Sequence, residues 1–195
     1  MALQKITKDG YGQLELNLVA FPRDGRVVAQ YKAGTTFTAE GVTGDDRYLE
    51  NGMLLKVDGA NRCVDKANPA AGDIFALNYS TEHMYDERQY ALKSFRLNSV
   101  NDFYPRLGYL SVGDKFTTNC VCVESGNWAS LKTDFEGTKE QEYKDAKEIY
   151  GGACADGYIK LTVSAIPEAG PVLRVIEFTT MPDGQNAVKF EVIRA

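Results

Sequence analysis

The stretch VLRVIEFTTMPDGQNAVKFEVI, Val172 to Ile193, decides the fold class. Val172 to Thr180 and Ala187 to Ile193 are rich in β-branched and aromatic residues, and Met181-Pro182-Asp183-Gly184-Gln185-Asn186 separates them. Proline presets φ at one turn position and glycine accepts positive φ at another, so turn chemistry lies between two strand compositions. The segment reads as a β-hairpin.

Neighbouring segments repeat this grammar. Tyr158 to Val163 (YIKLTV) is a strand by composition. Lys115 to Val123 (KFTTNCVCV) follows a Gly113-Asp114 turn. Period two sets Phe116, Thr118, Cys120 and Cys122 on one face and Thr117, Asn119, Val121 and Val123 on the other. Both faces read as buried. Further toward the N-terminus, Met53 to Val57 and Arg62 to Asp65 flank the turn Asp58-Gly59-Ala60-Asn61. Gln13 to Ala20, with Leu14, Leu16 and Leu18 on one face, is joined to Arg26 to Tyr31 through Phe21-Pro22-Arg23-Asp24-Gly25.

One segment reads as a helix, TKEQEYKDAKEIYGG. Thr138 and Gln141 have capping-box spacing, Glu140 and Lys144 form an i,i+4 pair, and Tyr143, Ala146 and Tyr150 line one face before Gly151. The expected fold is therefore all-β, a sandwich or barrel-like arrangement, with one short surface helix near 138–150. A boundary near Tyr104-Pro105-Arg106 divides the chain into a β-rich region 1–105 and a sandwich or barrel-like region 106–195, which a single domain also accommodates. No internal repeat is visible; the triplet Phe-Thr-Thr at Phe116 and Phe178 is ordinary strand composition.

The chain has 195 residues, of which 44% are hydrophobic and 25% charged, as expected of a globular protein with a real core. No apolar run approaches the roughly 20 residues that cross a bilayer. A formal net charge of −5 without a Lys/Arg block disfavours a nucleic-acid partner. The start MALQKITKDG lacks an apolar signal region, so synthesis into a reducing cytoplasm is expected, and Cys63, Cys120, Cys122 and Cys154 are expected as free thiols.

Candidate chemistry centres on Asn78 to Asn98, which holds the single histidine, His83. On a helix, His83, Asp86 and Glu87 would share a face and present metal ligands or an acid and a base. A closed zinc site needs about four ligands of nitrogen or sulfur type, and no second histidine exists to help. A solvated run of neighbouring opposite charges is the simpler reading. Cys120 and Cys122, two apart on one strand, read as small hydrophobes. Trp128 reads as a core cap, with sugar stacking as the alternative. No nucleophile elbow or phosphate loop is present. The aromatics Tyr79, Tyr85, Tyr90, Phe95, Phe103 and Tyr104 form the densest aromatic region and are the expected interface residues.

Beyond single motifs, the runs MALQKITKDGYGQLELN, NGMLLKVDG, ALNYSTEHMYDERQYALKSF, FYPRLGYLSVGDKFTTN and FTTMPDGQNAVKFEVI resemble small virion-associated proteins of tailed bacteriophages. The resemblance implies a head decoration or cement protein, without catalytic residues or cofactor. Such a protein is made in the bacterial cytoplasm, docks on the outside of the major capsid protein lattice and forms homo-oligomers. It implies no nucleic-acid or membrane partner. The alternative is a carbohydrate- or receptor-binding β-module.

Overall fold

The computed structural model describes residues 3–7, 12–15, 26–43, 48–80, 97–98, 104–124, 128–137 and 147–195. The fold is all-β, as the turn and strand grammar predicts. Its N-terminal part contains β1 (Leu3–Lys5), β2 (Val27–Val28), β3 (Lys32–Ala33), α1 (Thr35–Thr38), β4 (Tyr48–Leu49), β5 (Leu54–Asp58), β6 (Cys63–Asp65), β7 (Phe75–Asn78) and β8 (Leu97–Asn98). Then come β9 (Leu107–Tyr109), β10 (Lys115–Thr118), β11 (Val121–Glu124), α2 (Trp128–Glu136), β12 (Ile149–Ala153), β13 (Ile159–Val163), β14 (Val172–Thr180) and β15 (Asn186–Arg194).

One sheet has six strands in the order β2-β9-β7-β5-β6-β3, and the other seven in the order β1-β11-β13-β12-β14-β15-β10. A short pair, β4 and β8, stands apart. In the six-stranded sheet, β2 and β3 are the two edges, yet Val28 and Lys32 are joined by so few residues that they lie at most roughly 14 Å apart. A flat sheet of six strands would hold its edges roughly 24 Å apart. The sheet must therefore curl until its edges meet at one bent strand, 27–33. The same limit acts on β10 and β11, which Asn119 and Cys120 join across the second sheet.

Both sheets follow one topology. Reading β2-β9-β7-β5-β6-β3 against β10-β15-β14-β12-β13-β11, every neighbouring pair is antiparallel except the last in each, β6 with β3 and β13 with β11, which are parallel. A helix follows the bent strand in both, α1 after β3 and α2 after β11. The chain is thus a tandem of two barrel-like units, a repeat of topology where the sequence shows none. Each sheet also takes a strand from across residue 105: β9 joins the first and β1 the second.

Packing between the units explains strands that are buried on both faces. Leu54, Phe75 and Leu77 join a core made mostly of the second unit, with Phe116, Ile149, Ile159, Leu173 and Phe190. Their chain neighbours Leu55 and Ala76 join the first unit's core with Phe37, Val64 and Leu107. Successive residues of a strand point to opposite faces, so each of these strands serves two cores. Burying Leu54, Phe75 and Leu77 contributes about 1.5–3 kcal/mol each, before the entropy of ordering them is counted.

Three expectations change. The helix near 138–150 ends in strand: Ile149 and Tyr150 belong to β12, and Tyr150 pairs with Thr162 and Arg174. Residues 138–146 lie outside the described part. The described helix of useful length is α2, whose Trp128, Leu131 and Phe135 pack on the core and which Gly137 stops at φ 64°. The single strand 115–123 is two strands with a break at Asn119-Cys120, and the break shifts the phase. Phe116 shares a core with Val121 and Val123, while Cys120 and Cys122 face the other unit. Lastly, the described ends of the first expected hairpin pair elsewhere, Leu14 with Thr118 and β2 with β9.

Candidate functional site

The two bent strands occupy the same place in their units and are treated differently by the rest of the chain. Along the second, residues 3–6 and 13–15 run antiparallel: Leu3 opposes Glu124, Lys5 opposes Cys122, the Ile6 N–H donates to the Val121 carbonyl, and Leu14 bridges Thr118. At the kink the Gln13 N–H donates to Asn119 Oδ1, the Thr118 hydroxyl donates to the Gln13 carbonyl, and the Glu15 N–H donates to the Thr117 carbonyl. The described N-terminal residues thus pair with the bent strand on both sides of its kink.

The turn Glu50–Met53 locks this arm from the other side. A Cβ on Gly12 would lie 2.6 Å from Cys120 Sγ and 2.9 Å from Glu50 Cβ, so the three segments touch with no space for a side chain. Gly52 has φ +86° and abuts Thr118 Oγ1. The Tyr158 hydroxyl donates to the Glu50 carboxylate, and both residues are buried, at 1% and 3% exposure. Burial, reinforced by the charges on Cys120 and Glu50, pushes the Tyr158 phenol far above its ordinary pKa. Asn51 Oδ1 accepts from the Ser80 N–H, and Asn78 Nδ2 donates to the Glu50 carbonyl. Apart from Asn51 Nδ2, which has no hydrogen-bond partner among the described residues, these buried polar groups are partnered, as a low-dielectric seam requires. They hold the two units together.

Along the first bent strand the outer edge is open. β2 pairs only with β9 and β3 only with β6, so each leaves one side of its backbone without a strand among the described residues. Val27, Ala29, Gln30 and Lys32 are exposed. At the kink a cleft of about 320 Å³ is lined by Gln30, Tyr31, Gly59 and Arg62. The Tyr109 hydroxyl donates to the Tyr31 oxygen at 3.3 Å, and the Gln30 side chain also bonds it. These bonds lower the Tyr31 pKa, whereas burial and the Tyr31 hydroxyl push Tyr109 up to about 12. Tyr31 and Arg62 both line the cleft. Lys32 and Arg62 make no side-chain ion pair or hydrogen bond among the described residues.

Of the expected interface residues, Tyr79 is half-buried against the core, with its N–H donating to the Arg106 carbonyl at 2.7 Å. Tyr104 is 48% exposed. Tyr85, Tyr90, Phe95 and Phe103 lie outside the described residues, as do His83, Asp86 and Glu87. Trp128 caps the second unit's core, edge-on to Phe178 at 5.0 Å. All four cysteines are free and buried; Cys122 and Cys154 place their sulfurs 3.5 Å apart on the face turned to the first unit. Among the described residues no group of three His, Cys, Asp or Glu side chains is placed to hold a metal ion, and no helix is long and apolar enough to cross a membrane. The open edge at 26–34 escaped sequence reading; the signal available was RVVAQYK, a strand-like run broken by no turn residue yet flanked by charge.

No known protein family, no curated protein and no solved structure matches this chain.

Proposed function

We propose that the chain is a non-enzymatic virion structural protein of the head-decoration type, which binds the outer surface of a major capsid protein lattice and stabilises it. The observation that carries this reading is the contrast between the two units. One bent strand is sealed by the chain itself, and its counterpart offers a row of backbone groups, an exposed valine and a cationic rim to another macromolecule. The sequence runs that resemble phage virion proteins add the kind of macromolecule. Stabilisation follows mass action: a ligand that binds only the assembled lattice contributes RT ln(1 + [L]/Kd).

The test is co-sedimentation of the purified chain with heads assembled from a tailed-bacteriophage major capsid protein. Saturable binding is expected, together with heads that resist heat better when the chain is bound. Absence of association at every salt concentration ends the proposal.

A second reading, a carbohydrate- or receptor-binding module, draws on the cleft at Gln30, Tyr31 and Arg62, because a phenol, an amide and a guanidinium around 320 Å³ suit a sugar hydroxyl or acid. Trp128 does not contribute to it, being packed on the core. A glycan array with Tyr31→Ala as control separates the two readings.

A further inference from the structure

We infer that the open edge of residues 26–34 is a strand-addition site that takes an extended, acidic segment of another polypeptide, laid antiparallel as residues 3–6 and 13–15 lie on 117–124. The template for this interaction is inside the molecule. The bent strands are equivalent in topology, and the second shows what such an edge accepts: extended chain held by short backbone bonds on either side of the kink, at 3–6 and at 13–15. Main-chain hydrogen bonds supply affinity in this mode, and pockets for alternate side chains supply selectivity.

The side chains along the free edge specify the occupant. Val27, at 38% exposure, offers an apolar contact of the kind Leu14 makes on the second unit, where it is 3% exposed. At its kink the first unit has its cleft. Tyr31 and Arg62 present donors there, and Lys32 adds a second cation on the same strand. The carboxylates of the neighbouring strands are held within the unit by hydrogen bonds: Asp58 accepts from the Asn61 N–H and amide, and Asp65 accepts from the Thr36 N–H and hydroxyl. A segment bearing carboxylates beside its apolar residue matches this rim. The chain's own arm is not the occupant, because it is already committed to the second unit. The occupant's class comes from the edge alone; that it belongs to a capsid protein rests on the function proposed above.

The probe is the peptide of residues 2–17 of this chain, ALQKITKDGYGQLELN, and its Lys5→Glu, Lys8→Glu version, added to the full-length protein while amide hydrogen exchange is followed in 26–34 and 115–124. Saturating acidic peptide is expected to slow exchange over 26–34 by about tenfold or more, leaving 115–124 unchanged. The unmodified peptide is expected to bind about tenfold more weakly at low salt. Ala29→Pro should abolish protection, and it removes no internal bond, since the Ala29 N–H has no partner among the described residues. Lys32→Glu with Arg62→Glu should reverse the preference between the peptides without touching the backbone.

Protection confined to 115–124, no protection anywhere, or protection of 26–34 that grows with protein concentration and needs no peptide would each overturn the inference. The last result would mean that a second copy is the occupant. Failure on heads with success on peptide rejects only the lattice reading, whereas binding to heads that leaves 26–34 unprotected rejects the edge.

Discussion

Residues 115–124 and 26–34 hold the same position in two units of one topology, and they differ in almost every physical respect. The first segment is buried from Phe116 to Val123, doubled by an antiparallel arm and clamped by a distant turn. The second is exposed or half-exposed from Arg26 to Lys32 and, among the described residues, has a sheet neighbour on one side only. An edge without a partner invites another chain, and proteins that keep one open place charges along it. Arg26, Lys32 and Arg62 do so here, Arg26 in an ion pair with Asp114 at 3.0 Å. The difference teaches that two units of one topology need not share a role. One bent strand is an interior wall, and the other keeps an open edge among the described residues.

The sharpest way to break this comparison is at Gly52. Gly52→Ala puts a Cβ against Thr118 Oγ1 at a positive φ, and it should cost at least about 4 kcal/mol, read as a fall in the denaturation midpoint. Next, Leu14→Ala removes the arm's buried anchor and should cost about 3 kcal/mol. Its exchange pattern matters more than its size: amides of 115–124 should open while those of 26–34 do not change. Equal opening of both would show that the segments are not independent edges.

Tyr158→Phe should cost about 2 kcal/mol, since it deprives the buried Glu50 carboxylate of a donor at the seam between units. A stability unchanged within error would remove the seam from the account. On the open side, absorbance titration should find one tyrosine that ionises only near pH 12, and Tyr31→Phe should bring it down, identifying Tyr109. The native state holds that proton more tightly than the unfolded chain does. Its contribution is therefore present below the ordinary tyrosine pKa of about 10 and is lost as pH rises from there to about 12. Smallest of all, Val27→Ala should change stability by less than about 0.5 kcal/mol, because the edge is surface in the free protein. A larger loss would mean that this edge is covered, and the comparison would fail.

Much of the framework was legible from residue order. The hairpin β14–β15 follows from turn chemistry between two β-branched runs, and β5–β6 from Asp58-Gly59. Strands β7 and β9 escaped, being short, and FALN is buried at every position, so it carries no alternation to read. The helix α2 left a trace, the i, i+3, i+7 spacing of Trp128, Leu131 and Phe135, which the turn-like Ser125-Gly126-Asn127 before it obscured. The expected helix at 138–150 drew on local charge pairs and a cap, but sheet pairing claims Ile149 and Tyr150, because tertiary burial outweighs propensities worth tenths of a kcal/mol.

Period, turn residues and composition determined, by themselves, that this chain is built of strands, where the longer ones lie, and that Cys120 and Cys122 sit in the interior. Those properties depend on neighbours a few residues apart. Which strands pair, that two units share one topology, and that one bent strand is sealed while its twin is open were decided only in three dimensions. They depend on contacts such as Leu14 with Thr118 and Tyr158 with Glu50, more than a hundred residues apart, whose free energy exists only once the chain has closed on itself.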